Sequence, residues 1–328
     1  MPEQFIWGME VFLNGLMAGV LYALVALGFV LIYKASGIFN YAQGVMALFA
    51  AATLVGIMNG QVPFSHLINA VLGTHIHHFG WHVNAVVAII LTAGVMVLFA
   101  WIVQRVIFRH LVGQEPIILF MATIGLAYFL EGVSDLMWGS EIKKLDVGLP
   151  QGINLAIDEF TFNIFDYGFF IDNLDIVATI IAALLVIALT VFSQYSKQGR
   201  AMRAVADDHQ AALSVGVSLN FVWIMVWSVA GFVALVAGIM WGTKSGVQFS
   251  LSLIALKALP VLMLGGFTSI PGAIVGGLII GVGEKLFEFA IGPLVGGATE
   301  NWFAYVLALI FLVFRPQGLF GEKIIERV

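Results

Sequence analysis

The chain contains no cysteine, which excludes disulfides and thiolate metal ligation and leaves the redox compartment unread. Charge is scarce as well: only 10% of the 328 residues are Asp, Glu, Lys or Arg, against about 25% in soluble proteins. A net charge of −5 and a pI near 5.8 carry no electrostatic footprint for nucleic acid. Gly238-x-x-x-Gly242-Thr-Lys244 fails the G-x-x-x-x-G-K-[ST] spacing of a nucleotide-binding loop, so the chain is not expected to bind ATP. There is no nucleophile elbow and no H-E-x-x-H motif. Hence no catalytic residue and no cofactor is expected. His66, His75, His77, His78 and His82 have no acid close by in sequence and read as a polar interfacial loop rather than a zinc or copper site. The start, MPEQFIWGME, lacks the basic region of a cleavable signal, so the first apolar segment is expected to be retained.

What the chain does have is apolar surface. Sixty-one per cent of it is hydrophobic, and its mean hydropathy is +1.03. A soluble chain of this length could not bury so much, so the expected solvent is lipid. A bilayer core about 30 Å thick takes roughly 20 apolar residues per helix. Stretches 11–33, 41–58, 83–103, 116–138, 174–192 and 221–241 meet this requirement. In the C-terminal third, 251–264 is short, 270–289 is glycine-rich, and 302–314 is short but strongly apolar. The expectation is an all-α polytopic membrane protein of about 8–9 transmembrane helices with broken or re-entrant segments, forming one permease domain over 1–328.

Basic residues orient the spans. Lys34, Arg105, Arg109, Lys197, Arg200 and Arg203 fall in alternate connections, which the positive-inside rule makes cytoplasmic. The N-terminus, with Glu3 and Glu10, is then expected outside, together with the acidic loop 139–171. The tail, with Arg315, Lys323 and Arg327, is expected inside. That requires an odd number of crossings, met if 251–264 is a short extra crossing or if a neighbouring segment is re-entrant.

Two apolar stretches are broken. LGGFTSIPGAIVGG (264–277) places glycine and proline where a helix loses about 1 and 3 kcal/mol, respectively. KASGIFNYAQG (34–44) interrupts the N-terminal part. Paired interruptions in the two halves of a transporter point to a translocation route. The candidate pathway residues are Asn40, Tyr41, Gln43, Gly44, Gly265, Gly266, Thr268 and Ser269. The alternative is tight turns with Asn40 and Ser269 as helix caps. Gly15-x-x-x-Gly19, Gly272-x-x-x-Gly276 and Gly277-x-x-x-Gly281 are small-residue faces that let helices approach closely. Glu131 and Asp135, one turn apart, read as snorkelling or capping near the outer interface. Lys257, Glu284, Lys285 and Glu288 read as either pathway or interfacial groups.

The connection 196–220, SKQGRAMRAVADDHQAALSVGVSLN, is the longest on the cytoplasmic side. Met202, Val205, His209 and Ala212 recur at helical spacing. Its basic start, acidic middle and Gln-Ala-Ala-x-x-x-Gly end have the shape of the EAA-type coupling loop of ABC permeases, with Gln in place of Glu. The candidate ATPase-coupling residues are Arg200, Arg203, Asp207, Asp208, Gln210, Ala211, Ala212 and Gly216.

Taken together, NGLMAGVLYALVALGFVLIYKASGIFNYAQG (14–44), GRAMRAVADDHQAALSVGV (199–217), LGGFTSIPGAIVGG and RPQGLFG (315–321) resemble the LivH family, the permeases of branched-chain amino-acid-type ABC importers. The resemblance runs from 14 to about 321. It implies an inner-membrane subunit that moves a small polar solute inward. The implied partners are a second, LivM-like permease, two cytoplasmic ATPases and an external substrate-binding protein. Family members commonly carry N-F-A-H-G-E in the first break, where this chain has Asn40-Tyr41-Ala42-Gln43-Gly44-Val45. The departure leaves the solute open among amino acids, urea, amides and organic acids. An ion-coupled secondary transporter, a membrane-embedded enzyme and a passive channel are the rival classes.

Overall fold

The computed structural model describes residues 3–73, 78–111, 113–165, 167–207 and 209–321. In chain order the helices are α1 (Glu3–Ser36), α2 (Gln43–Met58), α3 (Ser65–Leu72), α4 (Ala85–Val106), α5 (Pro116–Trp138), α6 (Leu155–Phe165) and α7 (Asn173–Tyr195). They continue with α8 (Lys197–Asp207), α9 (His209–Ser214), α10 (Leu219–Ser245), α11 (Ile254–Gly265), α12 (Ile270–Val295) and α13 (Phe303–Phe314). Each apolar stretch of the sequence forms its own helix. Among the described residues the only extended pairings are isolated bridges. Helices α1, α4, α5, α7 and α10 are each long and apolar enough to span a bilayer. Helices α11 and α12 meet at a bend of 115°.

The chain divides into two compact units. One comprises Leu31–Gly148 and Val191–Ala255; the other comprises Met1–Val30, Leu149–Thr190 and Leu256–Val328. In the first, α10 packs on α2 and α4, and α2 also packs on α5. Helix α2 is buried on every side from Gln43 to Gly56, as expected of a helix apolar all round. Trp138 fixes one of its contacts: the indole donates to Thr53 Oγ1 at 3.1 Å, and its ring lies where a Cβ on Gly56 would be. Helix α4 instead buries one stripe, Ala88, Thr92, Met96, Ala100 and Val103, and leaves Ile90, Val97, Leu98 and Trp101 exposed. An apolar face turned outward on a helix of this length is a lipid-facing surface.

In the second unit, α12 is the axis. Its two glycine pairs serve two different neighbours. Gly277 and Gly281 face Gly15 and Gly19 of α1: a Cβ on Gly19 would lie 2.7 Å from the Gly277 carbonyl oxygen, and one on Gly281 2.4 Å from the Gly19 nitrogen. Gly272 and Gly276 face α11, where a Cβ on Gly276 would lie 2.7 Å from the Val261 carbonyl oxygen. In lipid, van der Waals contact between backbones takes the place of the hydrophobic effect as the force between helices. The glycines thus supply the close approach that offsets their poor helix propensity. A smaller apolar cluster, Ile6, Phe169 and Ile171 with Met9 and Leu13, anchors the start of α1 to the segment before α7.

Candidate functional site

The first break is closed by side chains. Helix α1 stops at Ser36, whose hydroxyl donates to the Ile32 carbonyl at 2.6 Å and accepts from Ile38 N at 3.2 Å; Gly37 then takes φ +68°. Asn40 and Gln43 are fully buried. Asn40 Oδ1 accepts from Ala42 N at 3.1 Å, and its amide donates to Gln43 Oε1 at 3.2 Å. Gln43 in turn donates to the Ala230 carbonyl of α10 at 3.2 Å. Thr123 of α5 bridges the turn, donating to the Phe39 carbonyl at 3.1 Å and accepting from Tyr41 N at 3.1 Å. Tyr41 is 37% exposed and sets its ring edge-on to Phe120 at 6.3 Å. Gly44 lets α2 touch the turn Phe249–Leu253: a Cβ there would lie 2.0 Å from the Ser252 carbonyl oxygen. Thr123 is a member that sequence spacing could not supply, because it lies 82 residues from Tyr41.

The second break is closed by backbone. Gly265 and Gly272 pack carbonyl against Cα, so that a Cβ on either would fall within 2.2 Å of the other's carbonyl oxygen. Gly266 turns the chain at φ +102°. Ser269 caps α12, its hydroxyl accepting from Gly272 N at 3.0 Å. Thr268 is half-buried. The segment RPQGLFG returns to this point: Leu319 N donates to the Leu264 carbonyl at 2.8 Å and Phe320 N to the Gly265 carbonyl at 3.1 Å. These carbonyls end α11 and would otherwise be orphaned. Two of the four sequence blocks, 264–277 and 315–321, therefore meet at this break, and Gly15 and Gly19 of a third pack on α12, all within one unit.

Beside this break lies an ion-pair chain. Lys257 pairs with Glu284, whose side chain is 1% exposed, and donates to the Glu300 carbonyl at 3.0 Å. Its ammonium also sits 5.9 Å from the Tyr22 ring centroid. Lys285 pairs with Glu300 at 2.8 Å. Glu288 accepts from Ala298 N at 3.1 Å and Thr299 N at 2.6 Å, tying the end of α12 to the turn that precedes α13. All four charged groups singled out in the sequence are thus engaged.

The connection after α7 folds as α8 and α9. The helical spacing has a direct meaning: Met202, Val205 and Ala212 are buried. Arg200 donates to the Tyr195 carbonyl at 3.1 Å, and Arg203 to the carbonyls of Ser193 and, at 3.1 Å, Gln194. Both guanidiniums therefore cap the C-terminus of α7. Gly216 follows α9 at φ +85°, with Gly216 N donating to the Leu213 carbonyl at 3.0 Å and Val217 N to the Ala212 carbonyl at 3.0 Å, a left-handed helix stop. Ala211 is exposed, and so are Leu213 and Val215, at 52% and 76%. A cavity of about 550 Å³ opens beside them, lined by Leu213, Gly216 and Asn220 and by Arg109 from the connection before α5. Asp208 lies outside the described residues, as do the side chains of Asp207 and Gln210. His75 and His77 lie outside them as well.

Long apolar helices, interrupted stretches sealed by their own chain and a helical loop with an exposed apolar edge define a multi-pass membrane protein. The chain belongs to the family described as "Branched-chain amino acid transport system / permease component", whose profile matches residues 11–315. It is 29% identical, over the whole of both chains, to the high-affinity branched-chain amino acid transport system permease protein LivH of Escherichia coli K12. It is 30% identical, again over both full lengths, to the BraD permease of the same description from Pseudomonas aeruginosa. A probable LivH from Methanocaldococcus jannaschii is 26% identical over 92% of this chain and 89% of its own. Among solved structures, PsaBC from Streptococcus pneumoniae in complex with Fab matches 95% of each chain at a TM-score of 0.40 and 14% identity, too weak a likeness to argue from.

Proposed function

We propose that the whole chain, 1–328, acts as one permease domain that moves a branched-chain amino acid into the cytoplasm. A second, LivM-like permease supplies the other half of the pathway. Two cytoplasmic ATPases drive it, and an external substrate-binding protein feeds it. The N-terminus is outside and the C-terminus is cytoplasmic. Helix α11 counts as a short crossing, which gives the odd number this orientation needs. Asn40, Tyr41, Gln43 and Gly44 with Gly265, Gly266, Thr268 and Ser269 border the translocation pathway at the two breaks.

The observation that carries this reading is the loop 196–220. Arg200 and Arg203 are held on the last carbonyls of α7, and the loop's apolar edge, Ala211, Leu213 and Val215, is exposed. A short helix stop with an exposed apolar edge fits a groove on a partner ATPase. Gly216→Val forces a β-branched residue into a left-handed position and misdirects that edge; an L-residue there costs about 1–2 kcal/mol. The expected result is assembly of the membrane subunits with ATP-driven uptake reduced at least about tenfold. Unchanged uptake with normal ATPase retention overturns the coupling role. Uptake abolished by an ionophore yet indifferent to ATP depletion would favour the ion-coupled reading instead.

A further inference from the structure

A second cavity of the first unit lies away from the first break. It has a volume of about 530 Å³, lies between the segment after α2, the last turn of α5 and residues 139–143, and is open on the side of Asp135, Leu136 and Glu141, which are exposed. Ligand pockets of roughly 300–1,000 Å³ are mostly apolar with a few convergent polar groups. Here Val62, Leu136 and Met137 supply apolar wall, while Asp135, Glu141 and Lys143 supply charge of both signs. The wall is built firmly. Lys143 and Val247 exchange two backbone hydrogen bonds, at 3.0 and 2.8 Å, and Trp138 is locked onto α2 through Thr53.

Lys143 is the telling group. Its ammonium is half-buried and donates to Gln61 Oε1 at 2.8 Å and to the Trp138 carbonyl. Both acceptors are neutral, and they use two of its three N–H donors. Burial pulls its pKa below the ordinary lysine value, with Glu141 opposing. A half-buried cation whose hydrogen-bond acceptors are neutral gains from an incoming anion. Urea or an amide would bring no charge to either sign of this lining, and a simple amine would bring none to Lys143.

We propose that this cavity binds a short aliphatic α-amino acid as its zwitterion. Its carboxylate lies on Lys143, its ammonium between Asp135 and Glu141, and its side chain on Val62, Leu136 and Met137. The choice of solute rests on the proposed function, and the proposed topology puts this cavity outside, where a binding protein releases its load.

The test uses the full transporter, co-purified with its permease and ATPase partners in lipid nanodiscs without the binding protein. Radiolabelled leucine is the probe, with isopentylamine and isovalerate as competitors lacking one charge each. Lys143→Gln should weaken leucine and isovalerate at least about tenfold, the value of one charged hydrogen bond, and leave isopentylamine unchanged. Asp135→Asn with Glu141→Gln should weaken leucine and isopentylamine and leave isovalerate unchanged. Equal loss of all three in either variant marks a structural role and overturns the site, as does unchanged leucine affinity. Leucine uptake by the wild type together with undiminished binding in both variants overturns the site while the function stands. A wild-type transporter that takes up urea and no amino acid overturns the function, and the ligand with it.

Discussion

The two breaks look alike as sequence and are sealed in opposite ways. At 34–44 the seal is polar: Asn40, Gln43 and Thr123 satisfy the freed backbone and one another. At 264–277 the seal is steric: glycines bring Gly265 against Gly272, and the 315–321 tail covers the last carbonyls of α11. Buried backbone at membrane depth must be covered in some way. A polar seal exchanges hydrogen bonds and can re-form in a second arrangement, whereas a glycine seal has no slack and holds its helices rigidly. The first break is therefore the better candidate for a joint that moves, and the second for one that holds.

That contrast can be broken by substitution. Gly281→Leu places side-chain atoms inside the backbone of α1 and should cost more than about 3 kcal/mol. Its expected outcome is loss of monodisperse protein by fluorescence-detected size exclusion; a well-folded variant would end the argument for a rigid glycine seal. Asn40→Ala leaves Ala42 N and the Gln43 side chain short of partners in a buried site, at a cost of about 2–3 kcal/mol, seen as a lower thermal midpoint in detergent. If that midpoint holds, water already serves these groups and the seal is not polar in the sense meant here. Gly318→Ala meets both a φ of +79° and the Gly266 nitrogen at 2.7 Å. It should cost about 1–2 kcal/mol and raise proteolysis of the tail. Ser269→Ala removes a single N-cap at about 1 kcal/mol; a loss as large as that of Gly281→Leu would mean that the cap, and not the glycine packing, holds the second break.

Much of this architecture was legible beforehand because it follows from local pattern. A run of apolar residues must be a helix in lipid, and glycine at four-residue spacing must be a close face. Met202, Val205 and Ala212 announced a buried helical stripe, and they form one. The basic residues of that loop were read only for charge and for partner docking. Arg200 and Arg203 spend their donors on the carbonyls that end α7, a role set by geometry that no spacing rule encodes. The reading of 139–171 as an acidic loop gave Lys143 no role. Its cavity is made by segments some 80 residues apart, as the Lys143–Gln61 hydrogen bond shows.

The sequence by itself determined that this is an all-helical membrane protein, roughly where its long apolar helices lie, and that two of its apolar stretches are interrupted. Those properties depend on composition and on neighbours within a few residues. Only the tertiary structure decided which glycine face meets which helix, that the RPQGLFG segment caps α11, and that Gln61 and Lys143 share a cavity. Such pairings join residues remote along the chain, and the close fit of backbone to backbone that selects among them exists only once the helices have packed.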